Sequence, residues 1–305
     1  MIKEFYSNGK LLLTGEYAVL DGAAALSIPT RYGQSLGVEK AEDSFIRWKS
    51  FDVNNTLWFE TNLLLKNNEI VPLEDQEHPI REKLIEILQS AKNLNPNFLT
   101  DSKGYIVTTK LDFPRDWGLG TSSTLLNNIA NWANVDAYQL LQNSFGGSGY
   151  DIASARNNTP ILYQLKDGHP IVDAVNLNWN FKDQLFFVYL NKKQNSHHAI
   201  KSYQSKGKPS QESIQKISSM SLEVIDCKSL NEFELLMDTH EKCISELIQQ
   251  KTIKELLFKD YKGAIKSLGA WGGDFILATG NEIQMDYFRK KGYATSIPFD
   301  EMILK

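Results

Sequence analysis

The sequence predicts a mixed α+β protein of two domains, and three observations carry that expectation. The chain has 305 residues, enough for two domains of ordinary size that each bury a core. Strand-like and helix-like segments are mixed without the regular βαβ alternation that a doubly wound parallel sheet requires. The two halves also differ in texture, with short strands and turns in the first and long amphipathic helices in the second. A polar stretch containing Gly and Pro around 166–183 marks the break, so 1–175 and 176–305 are the expected domains.

Each element follows from local pattern. Lys10–Leu13 is an apolar run that breaks at Gly15, and Ala23–Ile28 is a second that ends at Pro29. Ser35–Glu39, Phe45–Trp48 and Thr56–Phe59 read as further short strands between polar turns. Ile80, Leu84, Ile87, Leu88 and Ala91 recur at helical spacing and predict a helix. Tyr105–Leu111 alternates as a strand and stops before Pro114. Leu125, Leu126, Ile129, Ala130 and Ala133 then mark one face of a second helix. In the other half, Leu185–Leu190 is a continuous apolar run, the pattern of a buried strand. Leu230, Phe233, Leu236, His240, Cys243, Ile244 and Leu247 share one face of a long helix, which makes His240 a core histidine. Another glycine cluster opens into the apolar run Phe275–Ala278. Neither low-complexity tracts nor fixed-period repeats occur, which excludes solenoids and propellers.

Composition bounds the partners. The chain carries 33 Lys+Arg against 37 Asp+Glu, a formal net charge of −4, where a nucleic-acid footprint needs a basic excess. Cys227 and Cys243 are too few for a disulfide framework and suit a reducing compartment. The segment Met-Ile-Lys-Glu-Phe-Tyr lacks the apolar stretch of a signal peptide. No run reaches the ~18 apolar residues of a membrane span. The expectation is a soluble, cytoplasmic protein of two domains with neither nucleic acid nor membrane as a partner.

Three glycine-bearing segments and one lysine are the places where chemistry could sit. Gly118-Leu-Gly120-Thr-Ser-Ser-Thr124 lies between a strand and a helix. Its glycines let the backbone approach a ligand, and the helix start offers N–H groups to an anion. The plainer alternative is a strand–helix turn with a Ser or Thr cap. It is neither a Walker A loop nor a dinucleotide fingerprint. Gly146-Gly-Ser148-Gly149-Tyr-Asp151 delivers one carboxylate to the start of a helix rich in small residues. Asp151 there either orients or deprotonates a nucleophile or holds a metal, or simply favours the helix dipole. Gly269-Ala-Trp-Gly272-Gly273-Asp274 precedes an apolar strand, where a tight turn is the plain reading. Lys10 heads a buried-looking strand and is either solvated at its end or faces an anion. Between Asp183 and Glu212 there is no acidic residue, yet Lys192, Lys193, Lys201, Lys206 and Lys208 occur with His197 and His198. That stretch either attracts a phosphorylated ligand or is a solvated loop.

In chain order these segments read Gly-Lys…Gly-Glu16-Tyr-Ala-Val-Leu, then Gly-Leu-Gly-Thr-Ser-Ser, then Gly-Ser-Gly-Tyr-Asp, then Gly-Ala-Trp-Gly-Gly-Asp. The constellation closely resembles the GHMP small-molecule kinases, the superfamily of galactokinase, homoserine kinase, mevalonate kinase and phosphomevalonate kinase. Gly-Glu-Tyr-Ala-Val-Leu, Trp117 before Gly-Leu-Gly, and Gly-Gly-Asp274 are similar to the phosphomevalonate kinase branch.

The resemblance implies a fold, a reaction and a set of roles. The fold would be a two-domain α+β architecture with a left-handed βαβ unit in the N-terminal domain and a ferredoxin-like C-terminal domain. The reaction would be transfer of the γ-phosphoryl group of ATP, with Mg²⁺, to phosphomevalonate or mevalonate. Alternatives on the same scaffold are a sugar or amino-alcohol kinase and a nucleotide-binding sensor without turnover. Asp151 and Lys10 would be catalytic, and Gly118, Leu119, Gly120, Thr121, Ser122 and Ser123 would cradle ATP, with Ser122 on the metal. Glu16, Ser148, Gly149, Lys192, Ser196, His197, Gly269, Gly272, Gly273 and Asp274 would form the substrate and phosphate loops. The chain departs from the pattern at Thr121, at Trp271 and in the separation of 31 positions from Gly120 to Asp151, a short interval for these kinases. Leu140 stands where mevalonate kinases carry a second acidic ligand.

Overall fold

The computed structural model describes every residue except Met1, Asp101, Ser102, Asn195 and Lys305, with Ser196 and His197 described by backbone alone. The described chain is a mixed α+β protein that divides into two compact units. The first comprises 1–9, 32–115 and 120–156, and the second 10–31, 116–119 and 157–305. Compactness therefore groups 10–31, 116–119 and 157–175 with the C-terminal residues, whereas the cut at 175 is one of chain order.

In the first unit, β3 (Phe45–Phe51), β4 (Leu57–Lys66), β5 (Glu69–Pro72) and β6 (Tyr105–Leu111) join the later part of β2 (Ala25–Lys40) in the order β5-β4-β3-β6-β2. Strands β3 and β6 are parallel while their other neighbours are antiparallel. A parallel pair needs a crossover, and α1 (Pro79–Leu94) supplies its helix. Val107, Thr109 and Leu111 of β6 alternate inward. Val107 joins Leu84, Ile87, Leu88 and Ala91 of α1 and Leu126, Ile129 and Ala130 of α2 (Thr121–Ala133) in one apolar cluster that includes Trp48. Burying each large side chain there contributes about 1.5–3 kcal/mol. Helices α3 (Ala137–Gln142) and α4 (Tyr150–Arg156) complete the unit, with Leu140 fully buried in the same core.

The two apolar runs expected as separate strands, Ala23–Ile28 and Ser35–Glu39, are one continuous strand, β2, that passes through Pro29. It pairs with β7 (Ile161–Lys166) over Ala25–Ser27 and with β6 over Gln34–Lys40. Pro29 falls in the gap between these registers, where a missing N–H costs neither ladder a bond. Strand β1 (Lys3–Leu12) also pairs with β2, and β7 pairs with β8 (His169–Ala174).

The second unit contains β9 (Leu185–Tyr189), β10 (Ile265–Ser267), β11 (Phe275–Thr279) and β12 (Ser296–Pro298) in an antiparallel sheet ordered β10-β11-β9-β12. Four helices, α5 (Ser196–Gln204), α6 (Gln211–Ile225), α7 (Leu230–Ile248) and α8 (Ile253–Leu257), separate β9 from β10. Helix α9 (Glu282–Lys290) separates β11 from β12, and α10 (Phe299–Met302) follows. This is the βαββαβ ferredoxin-like arrangement with an enlarged first crossover. Side chains cap the helix starts: Ser210 for α6, Ser229 for α7, and reciprocal capping boxes at Thr252–Glu255 and Asn281–Gln284. Along α7 the buried residues are Phe233, Met237, His240, Glu241, Ile244 and Ile248. The apolar periodicity anticipates Phe233, His240 and Ile244 but not Met237, Ile248 or Glu241, a carboxylate admitted to the core by Lys266. Among the described residues no helix is long and apolar enough to cross a membrane.

Candidate functional site

Two groups of residues singled out by the sequence are assembled, one in each unit. In the first unit, α2 begins at Gly120, which sits in the left-handed region at φ 91° and makes no side-chain cap. The Ser/Thr cap of the plainer reading is therefore absent, and the first N–H groups of α2 have no partner within the helix. Ser123 Oγ donates to the Gly120 carbonyl at 2.8 Å, and Thr124 Oγ1 donates to Gln34 Oε1 at 2.7 Å. Ser122, by contrast, is exposed on the first turn and Thr121 is half-buried.

A buried polar network pins that helix. Asn128 Nδ2 donates to the Gln34 carbonyl at 2.8 Å, Ser7 Oγ donates to Asn128 Oδ1 at 2.7 Å, and Asn127 Nδ2 donates to Ser7 Oγ at 2.9 Å. Leaving any of these groups unpaired would cost about 1–3 kcal/mol, so the network fixes the start of α2 against β1 and β2. Helix α4 packs on α2 through Ile152 and carries Asp151, half-buried, in its first turn. Before it, Gly146, Gly147 and Gly149 all have positive φ, and Ser148 is 6% exposed.

In the second unit, four of the predicted segments converge. The Lys10 amide donates to the Leu119 carbonyl at 3.0 Å, and Lys10 is 9% exposed. Gly118, at φ 68°, lies directly against the Asp274 carboxylate; a Cβ there would stand 2.3 Å from Asp274 Cγ. The Asp274 carboxylate accepts the Gln194 amide at 3.1 Å, and the Asp274 amide donates to the Lys192 carbonyl at 2.6 Å. A Cβ on Gly273 would meet that same Lys192 carbonyl at 2.6 Å, so the glycine allows the close approach. Burial raises the Asp274 carboxyl above its ordinary value, while the Gln194 N–H and the charges of Lys10 and Lys193 oppose it. The loop is built on left-handed residues, with Gly269, Trp271, Gly272 and Asp274 all near φ 54–77°. Trp271 changes its shape inwardly: the ring is 1% exposed and joins Tyr17, Tyr203 and Ile217 in an apolar cluster. Its carbonyl accepts Gln194 Nε2 at 2.6 Å. Lys192 is exposed beside this loop. Ser196 and His197 lie on the first turn of α5, and their side chains fall outside the described residues.

Glu16 is placed differently from its neighbours in the motif. Its carboxylate is completely buried and ion-paired with Lys266, which also donates to Glu241 Oε1 at 3.0 Å. Glu241 in turn accepts the Ser267 amide and the Ser267 hydroxyl, each at 2.9 Å. His240 Nε2 accepts the Gly15 amide at 3.0 Å and lies 3.7 Å from Glu16 Oε2. Burial raises the Glu16 carboxyl to about 7, against the pull of Lys266 and with the help of Glu241. Burial raises Glu241 as well. Burial alone would lower Lys266, but Glu16 and Glu241 hold it above its ordinary value. His240 is held neutral, well below its ordinary value, by burial and then by Lys266. With Nε2 accepting, the imidazole proton belongs on Nδ1, which has no partner among the described residues, so His240 is buried but only partly satisfied.

Sequence reasoning did not find Lys266, Glu241, Gln34, Asn127 or Asn128. No motif or spacing marks any of them, and only tertiary pairing reveals their roles.

No protein-family model matches the sequence, and no curated protein is similar enough in sequence to match. Solved structures do match. The mevalonate kinase of Methanococcus jannaschii superposes with a TM-score of 0.68 at 15% identity over 95% of this chain and 94% of that one. The phosphomevalonate kinase of Streptococcus pneumoniae, in complex with phosphomevalonate and AMPPNP, gives 0.69 at 17% identity over 96% of both chains. The galactokinase of Lactococcus lactis, complexed with galactose, gives 0.66 at 13% identity over 95% and 88%. Similarity that spans nearly the whole of each chain, joined to the ferredoxin-like C-terminal sheet, identifies the architecture as the GHMP kinase fold.

Proposed function

We propose that the protein is an ATP-dependent small-molecule kinase that phosphorylates phosphomevalonate or mevalonate, with 1–175 and 176–305 as its two modules. The observation that carries this reading is the convergence of Lys10, Gly118–Leu119, Lys192–Gln194 and Gly272–Asp274 in one unit, because these are the motif segments the resemblance marks. Phosphoryl transfer asks mainly for positioning and neutralisation of charge. In this reading the start of α2, from Gly118 through Ser123, receives the ATP phosphates, and Lys10 balances the charge that develops on the transferred group. Asp151 takes the acceptor's proton or orients its oxygen. Ser148, Gly149 and the 269–274 loop shape the acceptor side, and Lys192, Lys193 and α5 attract its anionic group.

Mg²⁺ suits the donors available. Among the described residues no group of three or more His, Cys, Asp or Glu could hold a metal by itself. Magnesium in nucleotide sites typically uses one or two protein oxygens together with phosphate oxygens and water, and the exposed Ser122 hydroxyl is such an oxygen. When bound, the ion would neutralise phosphate charge.

The test is ADP release coupled to a reporter, with phosphomevalonate and mevalonate as acceptors. Turnover with neither defeats the assignment, and turnover with galactose or homoserine instead would move it to a sugar or amino-alcohol kinase. A specific observation favours the sensor alternative: Leu140 is fully buried apolar core where mevalonate kinases carry an acid. Calorimetry showing ATP binding without transfer to any acceptor would establish that outcome.

A further inference from the structure

We propose that Lys266 is a positioning residue, which ties the Thr14–Tyr17 turn to the strand feeding the Gly269–Asp274 loop so that both are held in one place. This rests on the kinase reading for its functional consequence, but the tether itself is a property of the second unit.

The turn is held at every residue. Thr14 Oγ1 is bonded to Ser221 Oγ at 2.7 Å, the Gly15 amide to His240, the Glu16 carboxylate to Lys266, and the Tyr17 hydroxyl to the Ala270 carbonyl at 2.7 Å. Two of these four ties run to 266–270, the approach to the glycine loop. Gly15 at φ 82° and Tyr17 at φ 61° both have positive φ, and a non-glycine residue held in such a sparsely populated region costs of order 1–3 kcal/mol and persists only when its surroundings over-determine it. The turn is therefore not a conformation the chain would keep unaided. On the other side, Lys266 also donates to the Ser267 carbonyl, and Glu241 holds both the amide and hydroxyl of Ser267. Lys266 Nζ further lies 5.9 Å from the centre of the Trp271 ring. One ammonium thus fastens the turn, the end of β10 and α7 together.

Charge arithmetic explains why a lysine is used. Glu16 and Glu241 are two buried carboxylates, and Lys266 is the cation placed between them, with His240 neutral. A buried ion pair adds little net stability over an apolar filling, but breaking one side of it is strongly destabilising. Such a cluster is better suited to specifying one arrangement than to raising stability. Lys10, near the end of β1 and five residues before Gly15, bonds the Leu119 carbonyl through its amide and acts on the Asp274 carboxylate through its charge. A displacement of the turn or loop would be felt there, and misplacement by ~1 Å can cost ~10²-fold in rate.

Lys266→Met leaves two carboxylates buried without a cation and can fail to fold, so Glu16→Leu is the decisive variant: Lys266 stays balanced by Glu241. Hydrogen exchange by mass spectrometry on the intact chain is expected to show faster exchange at 268–274, across the ion pair from the substitution. Steady-state kinetics should show kcat lowered ~10²-fold with the KM for ATP little changed. Glu16→Gln, which keeps an oxygen acceptor for Lys266, should recover a large part of that loss. Unchanged exchange at 268–274 overturns the tether, and an equal loss with Glu16→Gln overturns Lys266 as its partner. Should the parent protein transfer phosphate to no acceptor, the kinase reading fails on its own, and the exchange result still decides the tether.

Discussion

Replacing Gly118 by alanine tests the most sharply defined contact of the candidate site. Two penalties combine there. At φ 68° the new side chain occupies the left-handed region, which costs on the order of 1 kcal/mol. The new Cβ would also stand 2.3 Å from Asp274 Cγ and 2.6 Å from both carboxylate oxygens, closer than real atoms come. The carboxylate must move, and moving it forfeits the bond from the Gln194 amide, ~1.5–3 kcal/mol for a hydrogen bond to a charged group. Together these predict a loss of about 3 kcal/mol for Gly118→Ala. Gly146 provides the control: its φ is 67°, but nothing lies within 4 Å of an added Cβ. Gly146→Ala should therefore lose only the conformational part, ~1 kcal/mol. Urea denaturation of both variants, of Asp274→Ala and of Gly118→Ala/Asp274→Ala measures the difference directly. Introduced into Asp274→Ala, the same Gly118→Ala change should cost only the conformational ~1 kcal/mol, because that background already lacks both the carboxylate and its bond. Equal losses for Gly118→Ala and Gly146→Ala would show that Asp274 does not rest on Gly118, and would remove the main support for the convergence of the 118 and 274 loops.

The buried charge cluster predicts an unusual pH dependence of stability. With its carboxyl raised from 4.5 to about 7, folded Glu16 retains a proton that the unfolded chain has released, so its contribution is present at low pH and is lost as pH rises towards 7, ~3 kcal/mol in all. His240 opposes it, since a depressed imidazole costs stability as pH falls below 6.5. Subtracting the Glu16→Gln curve from the parent curve should leave a decline between pH 4.5 and 7; a flat difference refutes the Glu16 assignment. Asp151→Asn discriminates acceptors: with an alcohol it should lower kcat ~10²–10⁴-fold for want of a base. With a phosphate monoester, already largely anionic at pH 7 because its second pKa is ~6, the fall should be smaller. Lys192→Ala/Lys193→Ala should raise the KM for a phosphorylated acceptor and flatten its salt dependence while leaving the KM for ATP unchanged; equal effects on both KM values would deny these lysines an acceptor role.

How legible the molecule is depends on whether a residue's task is local. Helix α4 with Asp151 in its first turn, the start of α2 and the buried run of β9 follow from neighbours in sequence, and they lie where the pattern puts them. Strand β2 is illegible at Pro29, because a proline ends a strand by local rules and only the change of partner from β7 to β6 explains its survival. The βαββαβ order of the second unit emerges only once register joins β9 to both β11 and β12, which lie 86 and 107 positions further along the chain, from 189 to 275 and 296.

The candidate site shows the same division more sharply. Glycines announce themselves because the backbone freedom they permit is a local property, and Gly118, Gly269, Gly272 and Gly273 are legible in the sequence. Their partners did not announce themselves. Glu241 sits one position off an apolar helical stripe, and Lys266 stands in a strand of three buried residues; by composition either would be assigned to the surface. They are inside because each makes the other tolerable, a condition that involves three segments far apart in sequence. Glu16 completes the set, and its motif position suggested a ligand although its carboxylate does not reach solvent. A motif glutamate can thus matter to a site without facing it. If Lys266 is what it holds, the constraint on Glu16 comes from the geometry of the loop leading to Asp274. Substitutions at 16 and 266 should then fail to add, since either one releases the same turn.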